Sequence, residues 1–203
     1  MRASVLFVAL VGARAQTLRG SVDAVGTTVD YPTAGTNSLE AGGGGKCSYS
    51  YSSHDGAPVV TKASCTITSK DLDHGSEPQP VERQYVKKLA EHDGCGSGDD
   101  AGHILANRLG GFAVPTNLFP QDPHLNRGTW EQFEKAIYAC MTDGGAKKAS
   151  LSWSFTYSST KDQRPSKASY HASYDGGCDS TSSTFTNSCN KDLELPLAVT
   201  ATA

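Results

Sequence analysis

Asp99-Asp100-Ala101-Gly102-His103, followed by Asn117 and then by Asn126 at the head of an amphipathic stretch, is the segment on which the reading of this chain turns. Written as a frame it runs Asp-Asp-x-Gly-His-x(13)-Asn-x(8)-Asn-x(7)-Glu, closing at Glu134, with Gly110-Gly111 and Pro120-Gln121 inside it. Histidine takes up a proton near neutral pH. Asparagine offers a neutral carbonyl oxygen suited to a hard cation such as Mg²⁺. A base and a one-residue metal site on adjacent elements are the minimum equipment for hydrolysing a phosphodiester with water.

Local patterns place this frame on secondary structure. Residues 100–105 are short and end in an apolar pair, which predicts a strand, and Gly110-Gly111 allows the sharp reversal or positive φ needed after it. Residues 126–141 carry Trp130, Phe133, Ile137, Tyr138 and Met141 on one helical face, and Gly144-Gly145 stops that helix. Upstream, residues 47–53 and 59–69 flank the turn His54-Asp55-Gly56-Ala57-Pro58 and read as a hairpin. Downstream, Leu151, Trp153, Phe155 and Tyr157 alternate with Ser and Thr as a half-buried strand, partnered by residues 169–174 beyond the loop holding Arg164-Pro165. Residues 81–90 fit a helix or a strand equally. These patterns predict a single α+β domain, a mainly antiparallel sheet crossed by a helix at the site. About 170 residues can bury an adequate core for it.

Processing and composition set the compartment. Met1-Arg2, an apolar run to residue 12 and Ala13-Arg14-Ala15 read as a signal peptide (residues 1–15) cleaved before Gln16. The run is far short of the roughly 20 apolar residues that cross a bilayer, so export into solution without a membrane anchor is expected. Residues 16–46, ending in Gly42-Gly43-Gly44-Gly45, read as a flexible leader with one short strand near residues 21–29. The folded domain is expected over residues 47–190 and a peripheral tail over 191–203. Six cysteines in an exported chain imply disulfides, and no Cys-x-x-Cys or tight Cys/His group suggests zinc. The local pairs are Cys47–Cys65 and Cys178–Cys189, which would leave Cys95–Cys140, although the sequence leaves the connectivity open. The full chain carries net charge −3, and loss of Arg2 and Arg14 leaves 16 basic against 21 acidic residues, net −5. A polyanion would therefore be held by local cations rather than by the global field. Arg83, Lys87, Lys88, Arg108, Arg127, Lys135 and Arg164 are the candidates.

The frame resembles the DNA/RNA non-specific endonucleases of the ββα-metal (His-Me finger) superfamily. The resemblance rests on Asp99, Asp100, Gly102, His103, Ile104, Leu105, Gly110, Gly111, Asn117, Leu118, Pro120, Gln121, Asn126, Trp130 and Glu134, with weaker matches at residues 49–56, Arg164-Pro165 and Asp175-Gly176. It implies a ββα-metal finger within one disulfide-bonded domain and a secreted enzyme that cuts DNA and RNA to 5′-phosphate ends. In it His103 is the general base, Asn126 binds Mg²⁺ or another divalent ion such as Mn²⁺, and Glu134 holds metal-bound water. Asn117 and Gln121 position the site. Arg108 and Arg127 flank it, and Arg83 falls where relatives carry an upstream phosphate-binding arginine. Ala101 stands where many relatives have Arg, so that contact cannot be carried over. The competing reading is a catalytically inert secreted module on the same fold that binds polyanions or a protein.

Overall fold

The computed structural model describes residues 31–95 and 98–189, and the backbone of two short strands before them. Those two, β1 (Ser21–Val22) and β2 (Thr28–Val29), pair antiparallel with each other where one strand was expected. Next come β3 (Gly35–Glu40), β4 (Lys46–His54) and β5 (Ala57–Thr68), the helix α1 (Pro80–His92), and the short strands β6 (Asp100–His103) and β7 (Leu118–Gln121). The turn α2 (Pro123–Leu125) leads through a π-helical segment, Asn126–Trp130, into α3 (Glu131–Thr142). Three strands close the chain: β8 (Lys148–Thr156), β9 (Lys167–Tyr174) and β10 (Thr181–Thr186). Six strands form one antiparallel sheet in the order β10-β9-β8-β5-β4-β3, while β6 and β7 form a separate hairpin. The expected signal peptide (residues 1–15) and the expected tail (191–203) lie outside the described residues.

Period-two alternation decides which side of the large sheet is covered. In β8, Ala149, Leu151, Trp153 and Phe155 are buried and the intervening residues are exposed. The buried face receives α3 through an aromatic group: Phe133 and Trp130 lie 4.7 and 5.2 Å from the Tyr170 ring, and Phe185 sits 5.1 Å from Trp130. Such pairs add about 0.5–1.5 kcal/mol each beyond the area they bury. They clamp α3 and the end of the π-helical segment before it onto β9 and β10. The ambiguous residues 81–90 are helical. Pro80 opens α1 at a position where its missing N–H costs nothing, Glu82 accepts the Gln79 amide at 2.9 Å, and Val86, Leu89 and Ala90 fall on one buried side. That helix packs on the β6–β7 hairpin, with Val86, Ala101, Ala113 and Leu118 in a second small core.

The expected leader needs correction at its end. Residues 35–40 form the edge strand β3, in register with β4 from Gly35↔Tyr51 to Glu40↔Lys46. Thr36 is its one β-branched residue among Gly, Asn, Ser, Leu and Glu, so pairing rather than propensity makes it a strand. The four glycines are likewise a cradle rather than a linker. The Asp71 carboxylate accepts the amides of Gly43 (2.9 Å), Gly45 (2.8 Å) and Thr68 (2.7 Å), and the Thr68 hydroxyl at 3.0 Å. A Cβ at Gly43 would come within 2.2 Å of the Lys70 carbonyl oxygen. Burial alone would raise the Asp71 pKa, but these donors, Thr68 foremost, outweigh it and hold the carboxyl below its ordinary value. Asp71→Ala should therefore cost at least about 3 kcal/mol, because each buried amide left unpaired costs roughly 1–3 kcal/mol. Urea unfolding at pH 7 measures this. The sign follows from the depressed pKa: the carboxylate's contribution is complete above the unfolded value near 3.9 and is lost as pH falls through the folded one. The gap between wild type and Asp71→Asn should thus close in acid.

Three disulfides join all six cysteines. Cys47–Cys65 bridges directly paired residues of β4 and β5, as the hairpin spacing suggested. The other two correct the expected pairing. Cys95 bonds Cys189, and Cys140 bonds Cys178. The short-loop pairing failed because residues 178 and 189 flank β10, whose length separates them, and because the end of α3 meets the β9–β10 turn instead.

Candidate active site

The β6–β7 hairpin carries His103. Asp100↔Gln121 and His103↔Leu118 are the end pairs of its register. Between them Gly102 is needed for space: a Cβ there would lie 2.0 Å from Oε1 of Gln121, whose fully buried side chain crosses it. Beyond His103 the chain reverses at Gly110, at φ 94°, and passes Gly111 against the Leu105 carbonyl. Asn117 fastens that loop. Its Oδ1 accepts the Tyr49 hydroxyl and the Leu105 amide, both at 2.9 Å, and its Nδ2 donates to the carbonyls of Leu105 (2.9 Å) and Phe112 (3.0 Å). Both ends of the Asn117 side chain are thus engaged in holding the loop.

His103 is half-buried, and its Nε2 lies 2.9 Å from the Ser76 carbonyl oxygen. A carbonyl only accepts, so Nε2 carries the hydrogen and the neutral ring keeps its lone pair on Nδ1. The carbonyl sits on a loop pinned to the reversal by three contacts: the Ser76 amide on Gly111 (3.2 Å), the Ala113 amide on the Ser76 hydroxyl (2.9 Å) and Asn107 on Glu77 (2.6 Å). Desolvation lowers the His103 pKa below its ordinary value; the Ser76 carbonyl and nearby Glu77 oppose that, and Arg83 reinforces it. The ring is therefore neutral at pH 7. No sequence pattern marked Ser76, because its contribution is a backbone carbonyl.

Asn126 sits at the other end of the hairpin. An asparagine before a helix commonly caps it, but here Asp122 takes that task, accepting the amides of His124 (2.7 Å) and Leu125 (3.1 Å). The Asn126 side chain instead donates Nδ2 to Asp100 Oδ2 at 2.9 Å. A carboxylate cannot donate, so the amide orientation is fixed and Oδ1 faces away from Asp100. That oxygen has no hydrogen-bond partner among the described residues. Asp100 also grips Arg127, Nε at 2.9 Å and Nη2 at 2.6 Å, leaving that guanidinium otherwise exposed. The expected uninterrupted helix from residue 126 is broken by the π-helical turn, where Gly128 takes φ −116° and ψ −112°.

The other expected site residues divide. Arg83 stands exposed on α1, near enough to His103 to depress its pKa, with Nε on the Pro78 carbonyl at 3.1 Å. Arg108 stacks over the Tyr138 ring at 5.6 Å. Ala101 is buried against α1, in the small core with Val86. Arg164 is corrected from candidate phosphate ligand to structural ion pair: it is buried against Asp99, with further donation to the carbonyls of Asn187 and Ser188, both at 2.7 Å. Gln121 packs rather than bonds, since neither end of its amide has a partner. Glu134 lies in the first turn of α3, beyond the break at Gly128, and no hydrogen bond among the described residues joins it to Asn126 or His103. Burial pushes its pKa up to about 8, and Oε1 is left unpaired; the Trp130 indole N–H lies close enough to lower the pKa slightly without closing a hydrogen bond.

A histidine on a short hairpin and an asparagine opening the segment that leads into the next helix thus lie on one unit beside an antiparallel sheet. The chain belongs to the DNA/RNA non-specific endonuclease family, whose model matches residues 44–176. Over 104 residues it is 34% identical to a probable deoxyribonuclease, RhsA, of Dickeya dadantii, covering 51% of this chain but only 7% of that much longer protein. The fold is shared with NucA of Streptococcus agalactiae, solved with a magnesium ion bound, at TM-score 0.51 and 13% identity over 77% of this chain and 72% of that one.

Proposed function

We propose that the protein is a secreted, divalent-cation-dependent endonuclease that hydrolyses DNA and RNA with little sequence preference, leaving 5′-phosphate ends. The observation that carries this reading is the asparagine oxygen released by Asp100 and Asp122 on the same hairpin-and-helix unit that holds a neutral histidine with a free Nδ1. The donor set fits a hard cation. Asn126 Oδ1 is an uncommitted neutral oxygen, and among the described residues no group of three or more His, Cys, Asp or Glu could hold a metal ion. A single protein ligand suits Mg²⁺, which keeps much of its own water. When bound, the ion would supply charge stabilisation at the phosphate and the departing oxygen.

The chain's own residues do the rest. His103 Nδ1 accepts the proton of the attacking water, while the Ser76 carbonyl keeps the ring in the tautomer that leaves Nδ1 free. Arg127, held beside Asn126 by Asp100, and Arg83, beside His103, are placed to meet phosphate oxygens on either side of the scissile bond. Glu134 would act through intervening water. Its buried, uncompensated carboxyl is neutral at pH 7 without a cation and ionises more readily near one. A zymogram on DNA and on RNA, with Mg²⁺ or Mn²⁺ and with EDTA, tests the proposal. Clearing of both substrates that EDTA abolishes is expected; a gel without clearing under every ion would favour an inert binding module.

A further inference from the structure

The face of the large sheet turned away from the hairpin is covered by no element among the described residues, and its chemistry is one-sided. Small polar side chains, mostly hydroxyls, stand in register across all six strands. One row runs Ser38, Ser48, Ser64, Ser152, His171 and Ser182. A neighbouring row runs Ser50, Lys62, Ser154, Ser169 and Thr184. Sheet geometry spaces these groups about 4.8 Å apart along a row and about 6.7 Å between rows. Two adjoining grooves of about 740 and 750 Å³ lie on this face and share Ser48, Ser64, Ser152 and His171.

Charge distinguishes this surface from an ordinary solvated sheet face, which mixes both signs. Lys46, Lys62, Lys148 and Lys167 all occupy outward strand positions, and Glu40 is the one carboxylate in any of the six strands. None of the four lysines forms an ion pair among the described residues. This occurs on a chain of net charge −3, so the positive field is local. The aromatic side chains of these strands, Trp153 and Tyr170 among them, turn to the opposite, buried face. The surface thus offers cations and hydroxyls to a sugar-phosphate backbone, and His171 is the one ring in these two rows.

We infer that this face is a second nucleic-acid site, which holds the phosphate backbone of a distant part of the polymer being cut. It rests on the nuclease reading and adds to it. Two binding surfaces joined by one long substrate raise the local concentration of scissile bonds at the finger. A short duplex of about 12 bp cannot use both, because DNA is stiff over about 150 bp and such a rod cannot bend round the domain. The dependence on substrate length is therefore the signature.

The test compares cleavage of a several-kilobase duplex and the same short duplex by the full chain and by Lys46→Glu/Lys62→Glu/Lys148→Glu. On the long duplex kcat/KM should fall at least tenfold in the variant, and its log–log salt dependence should become shallower by about 0.9 for each phosphate no longer neutralised. On the short duplex kcat/KM should stay within twofold, which also shows that the variant is folded. The milder Lys46→Gln/Lys62→Gln/Lys148→Gln set should show the same length-selective loss at about threefold, and it decides the question should the reversed charges prevent folding. Equal losses on both lengths, or no loss on either, would overturn the second site. Wild-type protein that cut neither duplex would instead overturn the nuclease reading.

Discussion

His103→Ala is expected to lower kcat by about 10²–10⁴-fold, the usual contribution of a general base, while leaving the melting temperature and DNA affinity close to wild type. The ring makes one hydrogen bond, to a backbone carbonyl, and it is only half-buried. Its loss opens little core and removes no contact with a phosphate. The pH profile gives an independent reading of the same group. Desolvation foremost, with Arg83 adding to it, holds the imidazole's pKa below 6.5 despite the opposing Ser76 carbonyl and Glu77. Protonation disables the base, so kcat/KM should drop on the acid side with a midpoint below 6.5. Arg83→Ala removes a neighbouring positive charge and should move that midpoint upward. Single-turnover rates with saturating Mg²⁺ measure both effects. An alanine variant within tenfold of wild type would remove His103 from the chemistry.

The elements that carry the candidate residues were legible from the frame, which sets His103 on a short strand and Asn126 at the head of the segment leading into a helix. The supporting parts were legible in proportion to how local they are. Gly110 announces a positive φ, which is found, whereas the close approach at Gly102 appears only once Gln121 is placed against it. The Ser76 carbonyl lies 27 residues from the histidine that it orients, in a stretch with no hydrophobic period, and nothing in side-chain chemistry marks it. Arg164 shows the opposite failure. A guanidinium near an active-site motif reads as a phosphate ligand until the fold supplies Asp99 and two carbonyls around it. The tetraglycine run misled for a related reason: its composition is that of a linker, and only the buried Asp71 acceptor turns its amides into structure. Disulfide pairing likewise depends on where strand ends meet, and that is a property of topology.

Asn126→Ala should abolish cleavage at ordinary Mg²⁺ and shift the Mg²⁺ titration to much higher concentration, since one protein ligand leaves no redundancy. Asn126→Asp should retain more activity, because it restores an oxygen at nearly the same place. It does so at the cost of a like charge against Asp100, which now accepts the Asn126 amide at 2.9 Å. Asp100 itself is expected to act through Asn126. Its carboxylate fixes which way the amide points and holds Arg127 alongside at 2.6 Å, so Asp100→Ala lets both turn. Groups that orient a metal ligand typically contribute about 10–100-fold to affinity or activity. The expected result is that range of loss, with the apparent Mg²⁺ affinity weakened in parallel and His103's acid limb unmoved. Asp100→Asn should recover part of it, because its side-chain oxygen can still accept from Asn126 Nδ2 although the charge on Arg127 is no longer matched. Isothermal titration of Mg²⁺ into each variant, beside cleavage assays over the same concentrations, separates these cases. A normal Mg²⁺ titration in Asn126→Ala would place the ion elsewhere in the molecule, and a normal one in Asp100→Ala would make Asp100 a partner of Arg127 alone.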